Sequence, residues 1–251
     1  MNVMIATPSL DGNLSIEYVT SLLKTTVLLK DQQIDYVWSV VRGDCFIDKA
    51  RNNLVQSFLD SSCTDLFFID ADQGWNEKSF LKLLHDSHEI VAGAVPKKDD
   101  DLCFNNPEMV TDEKLNCVIE NGLIQARHIG TGFMRIKRSA LEKMIQAYPE
   151  RYNPGYKDQD IQYYGLFETQ VRDGLFWGED LVFCKKWCKL DEFIWIEPNI
   201  DFQHAGRKCW KGNFLEYLTQ TCTVEVSKKS FTAPVLAGKP YQVYGEESCQ
   251  A

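Results

Sequence analysis

The stretch Leu66-Phe67-Phe68-Ile69-Asp70-Ala71-Asp72 decides how this sequence reads. Its apolar run is too short for a buried helix and fits a central strand covered on both faces. Strand side chains alternate between faces, so Asp70 and Asp72 point the same way as long as the extended conformation persists through them. They then lie at the carboxyl end of a central strand, where open α/β sheets bind ligands. Two carboxylates there repel each other and are costly to bury unless a cation or hydrogen-bond donors compensate. A hard divalent cation is the natural partner, since Mg²⁺ uses one or two carboxylates plus substrate phosphates. The alternative is a solvated turn that happens to carry two acids.

The segments on either side alternate between strand and helix. Asn2–Ala6 reads as a short apolar strand ended by Thr7-Pro8-Ser9, and Ile16, Val19, Leu23 and Val27 recur at helical spacing between Leu14 and Leu29. Ile34–Val41 is a second strand, and Ala50, Leu54, Phe58 and Leu59 mark one face of a second helix. A third helix spans Glu77–His85, and Ile90–Val95 is a fourth strand. This order predicts an α/β fold, a mostly parallel sheet with helices on both sides.

Beyond Val95 the pattern changes. The polar stretch from Asp99-Asp100-Asp101 to Glu113 reads as a surface loop, and Asn121-Gly122 between Cys117–Glu120 and Leu123–Gln125 signals a hairpin. Phe133–Ile136 is a strand, followed by a helix through Leu141, Met144, Ile145 and Tyr148. Tyr152–Tyr164 is loop-like; a short helix carrying Leu181, Cys184 and Trp187 and a strand at Phe193–Ile196 follow. The expected organisation is one domain over residues 1–226, with 227–251 as a C-terminal extension.

Composition excludes some classes. The 44% hydrophobic and 25% charged fractions are those of a soluble globular protein. No run approaches the roughly 20 apolar residues of a membrane span, and the start lacks the basic region of a secretory signal. Nine cysteines without metal-ligand spacing argue for reduced thiols in a cytoplasmic setting. A net charge of −9 opposes broad polyanion binding, leaving Lys97-Lys98 and Arg207–Lys211 as the local basic candidates.

Two further features carry chemistry. Gly178-Glu179-Asp180 opens a helix, where acids are favoured by the dipole alone; the functional reading makes Asp180, with Glu179, a general base for an acceptor hydroxyl. Phe176-Trp177 beside it offers a flat apolar platform for a sugar ring. His204, just beyond a strand and followed by Arg207, Lys208 and Lys211, is either a satisfied polar residue or a metal ligand, and imidazole suits Mn²⁺ better than Mg²⁺. The cations after it could neutralise a leaving diphosphate.

Thr7-Pro8, Ala50-Arg51-Asn52, Phe68-Ile69-Asp70-Ala71-Asp72, Gly130-Thr131-Gly132-Phe133, Trp177-Gly178-Glu179-Asp180 and His204-Ala205-Gly206 occur in an order that resembles the GT-A fold glycosyltransferases. The likeness is to virus- and phage-encoded members and to fungal mannosyltransferases of the Mnn9/Van1 type, and it covers residues 2–215. It implies a mixed, mostly parallel, Rossmann-like sheet flanked by helices and a metal-dependent transfer of sugar from a nucleotide-sugar donor, a UDP-sugar first. Thr7 and Pro8 would line the nucleoside pocket, Arg51 would reach the nucleotide, and Gly130, Thr131 and Gly132 would lie against the donor sugar. Asp70 would contact ribose or metal, Asp72 and His204 would hold Mn²⁺ (or Mg²⁺), and Lys98 and Lys208 would meet phosphate. Asp180 would be the base or an acceptor ligand, and Trp177 an acceptor contact. Gln73-Gly74-Trp75 departs from the small or aliphatic residue usual after the second acid.

The acceptor that this resemblance implies is a glycan or, by the viral likeness, a hydroxymethylated base of phage DNA, acted on in the host cytoplasm. Two rival readings stand beside it. One is a nucleotide-sugar-binding module without turnover. The other is a haloacid-dehalogenase-like phosphatase, whose Asp-X-Asp lies on the first strand and continues differently from Gly74.

Overall fold

Residues 1–104, 107–155 and 162–221 are described in a computed structural model of the chain. The amino-terminal part runs β1 (Asn2–Ser9), α1 (Ile16–Asp31), β2 (Asp35–Arg42), α2 (Ile47–Leu59), β3 (Asp65–Ile69), β4 (Gln73–Gly74), α3 (Glu77–Leu84) and β5 (Ile90–Gly93). There follow β6 (Glu108–Met109), β7 (Ile119–Glu120), β8 (Leu123–His128), β9 (Phe133–Lys137), α4 (Arg138–Ala147), β10 (Arg151–Tyr152) and β11 (Tyr163–Tyr164). The remainder comprises β12 (Gln170–Arg172), β13 (Leu175–Trp177), α5 (Glu179–Cys188), β14 (Ile194–Glu197), β15 (Asp201–Ala205), β16 (Cys209–Asn213) and α6 (Phe214–Thr221).

The central sheet has the order β2-β1-β3-β9-β5-β14-β8-β6, with β7 on β8. It is a mixed α/β fold: β2, β1 and β3 run parallel, β9 enters antiparallel between β3 and β5, and β14 is parallel to β5 but antiparallel to β8. Each central strand feeds both layers. Val3, Ile5, Phe67 and Ile69 pack toward α1 and α3, while Met4, Ala6, Leu66 and Phe68 pack toward α2, α4 and α5. Two-sided burial explains why Leu66–Ile69 is apolar without alternation. Phe67 stacks on Phe80 at 4.2 Å between ring centroids; truncating such a buried ring to alanine costs about 3–5 kcal/mol.

Several expectations are corrected. α1 turns a different face inward. Tyr18, Ser21, Leu22, Thr25 and Leu29 are buried, whereas Ile16, Leu23 and Val27 face solvent. The buried hydroxyls are the cause: Ser21 Oγ accepts the Trp75 backbone N–H and Thr25 Oγ1 accepts the Trp75 indole N–H, each at 2.9 Å. A satisfied polar face fits the core, and an apolar-periodicity argument cannot see it. β1 also continues through Thr7-Pro8-Ser9 instead of ending there. Beyond Ala6 it pairs with β2 alone, and an edge tolerates proline.

Asn121-Gly122 does turn a hairpin, with both residues at positive φ (51° and 84°). Tyr152–Tyr164, expected to be loop, has ends that pair as β10 and β11, and residues 156–161 lie outside the described segments. The 227–251 extension lies outside them too. None of the described cysteines is in a disulfide, and no described helix is long and apolar enough to cross a membrane.

Candidate functional site

Extended conformation stops at Ile69. Gln73 N–H bonds back to Asp70 O at 3.1 Å, so residues 70–73 form a turn and the same-face argument for Asp70 and Asp72 does not apply. Three backbone bonds fix the turn: Asp70 N–H to Gly132 O (3.0 Å), Ser15 N–H to Ala71 O (2.9 Å) and Ala205 N–H to Asp72 O (2.8 Å). The departure at Gln73-Gly74-Trp75 now has a reason. This segment becomes β4 and joins β15 and β16 in a separate small sheet, while Trp75 plugs against α1.

That small sheet delivers His204. Register pairs His204 with Gln73, which brings the imidazole beside Asp72, its Nε2 3.4 Å from Asp72 Oδ1. Nδ1 lies 2.7 Å from the carbonyl of Pro96, just after β5, and must donate to it. Nε2 of a neutral imidazole is then a lone pair aimed at a carboxylate oxygen. Only a second proton or a cation between them makes that contact favourable. Lys98, from the same post-β5 loop, pairs with Asp72 Oδ2. Burial pushes the Asp72 carboxyl up, but His204 and Lys98 outweigh it and hold the group below the ordinary aspartate range.

Asp70 takes another direction. Arg51 of α2, buried against the Phe68 ring, donates from Nη2 to Asp70 Oδ1 (3.0 Å) and from Nε to Glu179 Oε1 (3.1 Å). It ties the strand-end turn to the N-terminus of α5. Burial alone would lower the arginine's pKa; the two carboxylates more than offset it and raise it. Asp180, next to Glu179, has Oδ2 3.9 Å from His128 Nε2, at the end of β8. Burial pushes its carboxyl up, but His128, the Leu181 backbone N–H and Arg51 outweigh that and hold it low. Asp180 is therefore an ionised carboxylate near neutrality.

Gly132 allows the close approach around the turn, since a Cβ there would stand 2.9 Å from Asp70 Oδ2 and 3.1 Å from Gln73 Nε2. Among buried side-chain atoms without a hydrogen-bond partner, Arg51 Nη1, Gln73 Oε1, Thr131 Oγ1 and His128 Nε2 all belong to this region. Buried polar atoms are normally satisfied, so a concentration of unmet donors and acceptors marks a place for a polar ligand.

The structure thus gathers Arg51, Asp70, Gly132 and Glu179 into one connected network with Asp180 beside it, and Asp72, Lys98 and His204 into a second that begins two residues along the same turn. Other expected residues stand differently. Thr7 and Pro8 are buried, with the Thr7 hydroxyl engaged by Tyr18. Lys208 pairs with Asp100 and lies over Trp210, not at Asp72. Trp177 stacks under Arg172, leaving Phe176 as the exposed aromatic of the β12–β13 hairpin. Thr131 is buried and Gly130 half-buried beside the turn. Sequence reasoning missed His128 and Gln73. Nothing in linear spacing connects His128 to Asp180, because β8 and α5 meet only through the fold. For a metal, Asp72 and His204 are the available pair; no group of three or more His, Cys, Asp or Glu suited to a metal occurs among the described residues.

No protein-family model and no curated protein matches the chain. Solved structures with similar backbones include a glycosyltransferase involved in glycosylation of the major capsid of PBCV-1, at 12% identity and TM-score 0.33, covering 66% of this chain and 73% of that one. Another is the inositol-1-phosphate CTP transferase from T. maritima, at 10% identity and TM-score 0.36, with 80% and 88% covered. A third is described as mannose-1-phosphate geranyltransferase from Thermus thermophilus, at 8% identity and TM-score 0.36, with 59% and 61% covered. Likenesses this distant say nothing of the reaction, which rests on the side chains.

Proposed function

We propose that the chain is a glycosyltransferase that moves a sugar from a nucleotide-sugar donor, a UDP-sugar first, to a hydroxyl of a glycan acceptor. The observation that carries this reading is the contact of His204 Nε2 with Asp72 Oδ1, 3.4 Å apart at the end of a central strand. A divalent cation fits there: one carboxylate and one imidazole, the latter oriented by the Pro96 carbonyl, leave the remaining positions to phosphate oxygens and water. Bound, Mn²⁺ or Mg²⁺ would supply charge neutralisation for the departing diphosphate.

The chain's own groups do the rest. Asp180, ionised and near the mouth of α5, takes the proton of the acceptor hydroxyl as its oxygen bonds to the anomeric carbon. The bond from that carbon to the phosphate oxygen breaks, and the electron pair leaves with the nucleoside diphosphate. Lys98, half-exposed beside Asp72, offers a cation to those phosphates. Arg51 keeps the turn and the α5 terminus in register and retains one unmet N–H for an anion. A glycan is the favoured acceptor over a DNA base because the chain carries a net charge of −9, which opposes binding to a polyanion.

The test is calorimetric titration with UDP and then GDP, each with Mn²⁺ and with EDTA. UDP binding that weakens sharply in EDTA is the expected result. Binding of GDP instead changes the donor and keeps the mechanism. Absence of binding to both by folded protein sinks the reading.

A further inference from the structure

β2 ends the central sheet. It is eight residues long, Asp35-Tyr36-Val37-Trp38-Ser39-Val40-Val41-Arg42, and it pairs continuously with β1 on one side. Among the described residues no strand pairs with its other side. Proteins usually blunt such an edge with lysine, proline, a bulge or a short strand. This edge has none of these between its terminal charges, and Tyr36, Val37, Trp38 and Val40 are exposed at 42%, 42%, 43% and 37%.

We propose that β2 is a homodimer interface, pairing antiparallel with β2 of a second copy of this chain so that the two sheets become continuous. The strand is self-complementary in that arrangement. Its interior is uncharged, and antiparallel pairing brings the Asp35 end of each copy to the Arg42 end of the other, whereas parallel pairing would set like charges together. A twofold axis perpendicular to the sheet keeps the α1 side of one copy beside the α1 side of the other. Tyr36, Trp38 and Val40 alternate onto one face, the α1 side, where the Trp38 indole donates to Tyr18 OH at 3.1 Å. Opposed residues must share a face, so the central registers set Trp38 against itself or against Val40. They set Tyr36 against Val40 or Arg42. These are aromatic, β-branched and cationic pairs of the kind that stabilise sheets.

Sedimentation equilibrium of the full chain tests this. The mass is expected to rise with concentration from 28.9 kDa toward twice that value. The double variant Val37→Lys/Val40→Lys, made at exposed positions, should weaken the dimer by roughly tenfold or more through like-charge repulsion, with the circular dichroism of the folded chain unchanged. Asp35→Arg and Arg42→Asp chains should each dimerise more weakly alone and recover when mixed. A chain monomeric at every concentration, including one whose edge is covered by its own residues 222–251, overturns the proposal. So does a dimer indifferent to the lysines, or a mixture no stronger than its parts.

Discussion

At the Arg51 end of the site the guanidinium and Glu179 are enclosed; at the Asp72 end both charges stay close to water. The Arg51 side chain is 4% exposed and Glu179 14%, against 38% for Asp72 and 37% for Lys98. Arg51 holds two carboxylates from different elements, which is how a fold fixes geometry. Asp72 meets Lys98 and His204, and the His204 contact is favourable only with a proton or a cation between the two groups. The acids of one Asp-X-Asp turn therefore have different partners: Asp70 is tied to Arg51, and Asp72 to Lys98 and His204.

The largest effect expected lies just beyond the Arg51–Asp70 pair. Asp180→Asn should lower turnover by roughly a thousandfold while leaving nucleotide affinity intact, because the lost group acts on the acceptor proton. A parallel loss of UDP binding would move Asp180 from base to donor contact. Next comes Arg51→Met, which strands Asp70 and Glu179 without their partner. The cost is about 3 kcal/mol, the low end for breaking a buried ion pair, because Asp70 keeps about a third of its surface in water. Urea denaturation measures it, and a loss of activity at unchanged stability would break the contrast between the two ends. Asp72→Asn should do the reverse: metal-dependent UDP affinity falls by at least the roughly 10–100-fold that losing an outer-shell partner costs, while the urea midpoint stays within the small range of exposed pairs.

How much of this could be read in advance follows from where each signal is stored. The strands and the order of the first half were legible because burial on both faces leaves an uninterrupted apolar run such as Leu66–Ile69. Asp72 and His204 were nameable as chemistry-bearing residues, and the structure places them in contact. The turn at 70–73 was not legible, because it is held by carbonyls and N–H groups of Gly132, Ser15 and Ala205 that no spacing rule connects. The buried face of α1 was misread for a related reason. Ser21 and Thr25 are buried by virtue of Trp75, a partner distant in sequence. Residues whose role comes from hydrogen bonds across the fold stay hidden in the sequence, and His128 is the clearest case.

His128 also yields the smallest and sharpest test. Asp180 is held below its ordinary range by His128 first among the groups that offset burial. A carboxylate acting as base loses activity as the pH falls through its pKa, so the acid limb of the rate profile should lie below the usual aspartate region near about 3.9. Any stability that Asp180 contributes carries the same sign, present above the unfolded pKa and lost as pH falls through the folded one. Replacing His128 with asparagine removes a lowering influence, so the Asp180 pKa rises and the acid limb moves to higher pH. The plateau rate near neutrality should change little, since the carboxylate is still ionised there. A profile that keeps its acid limb in the variant would show that His128 does not act on Asp180. The low pKa would then have to come from the Leu181 N–H and Arg51, and the base would belong to the same network as the Arg51–Asp70 pair.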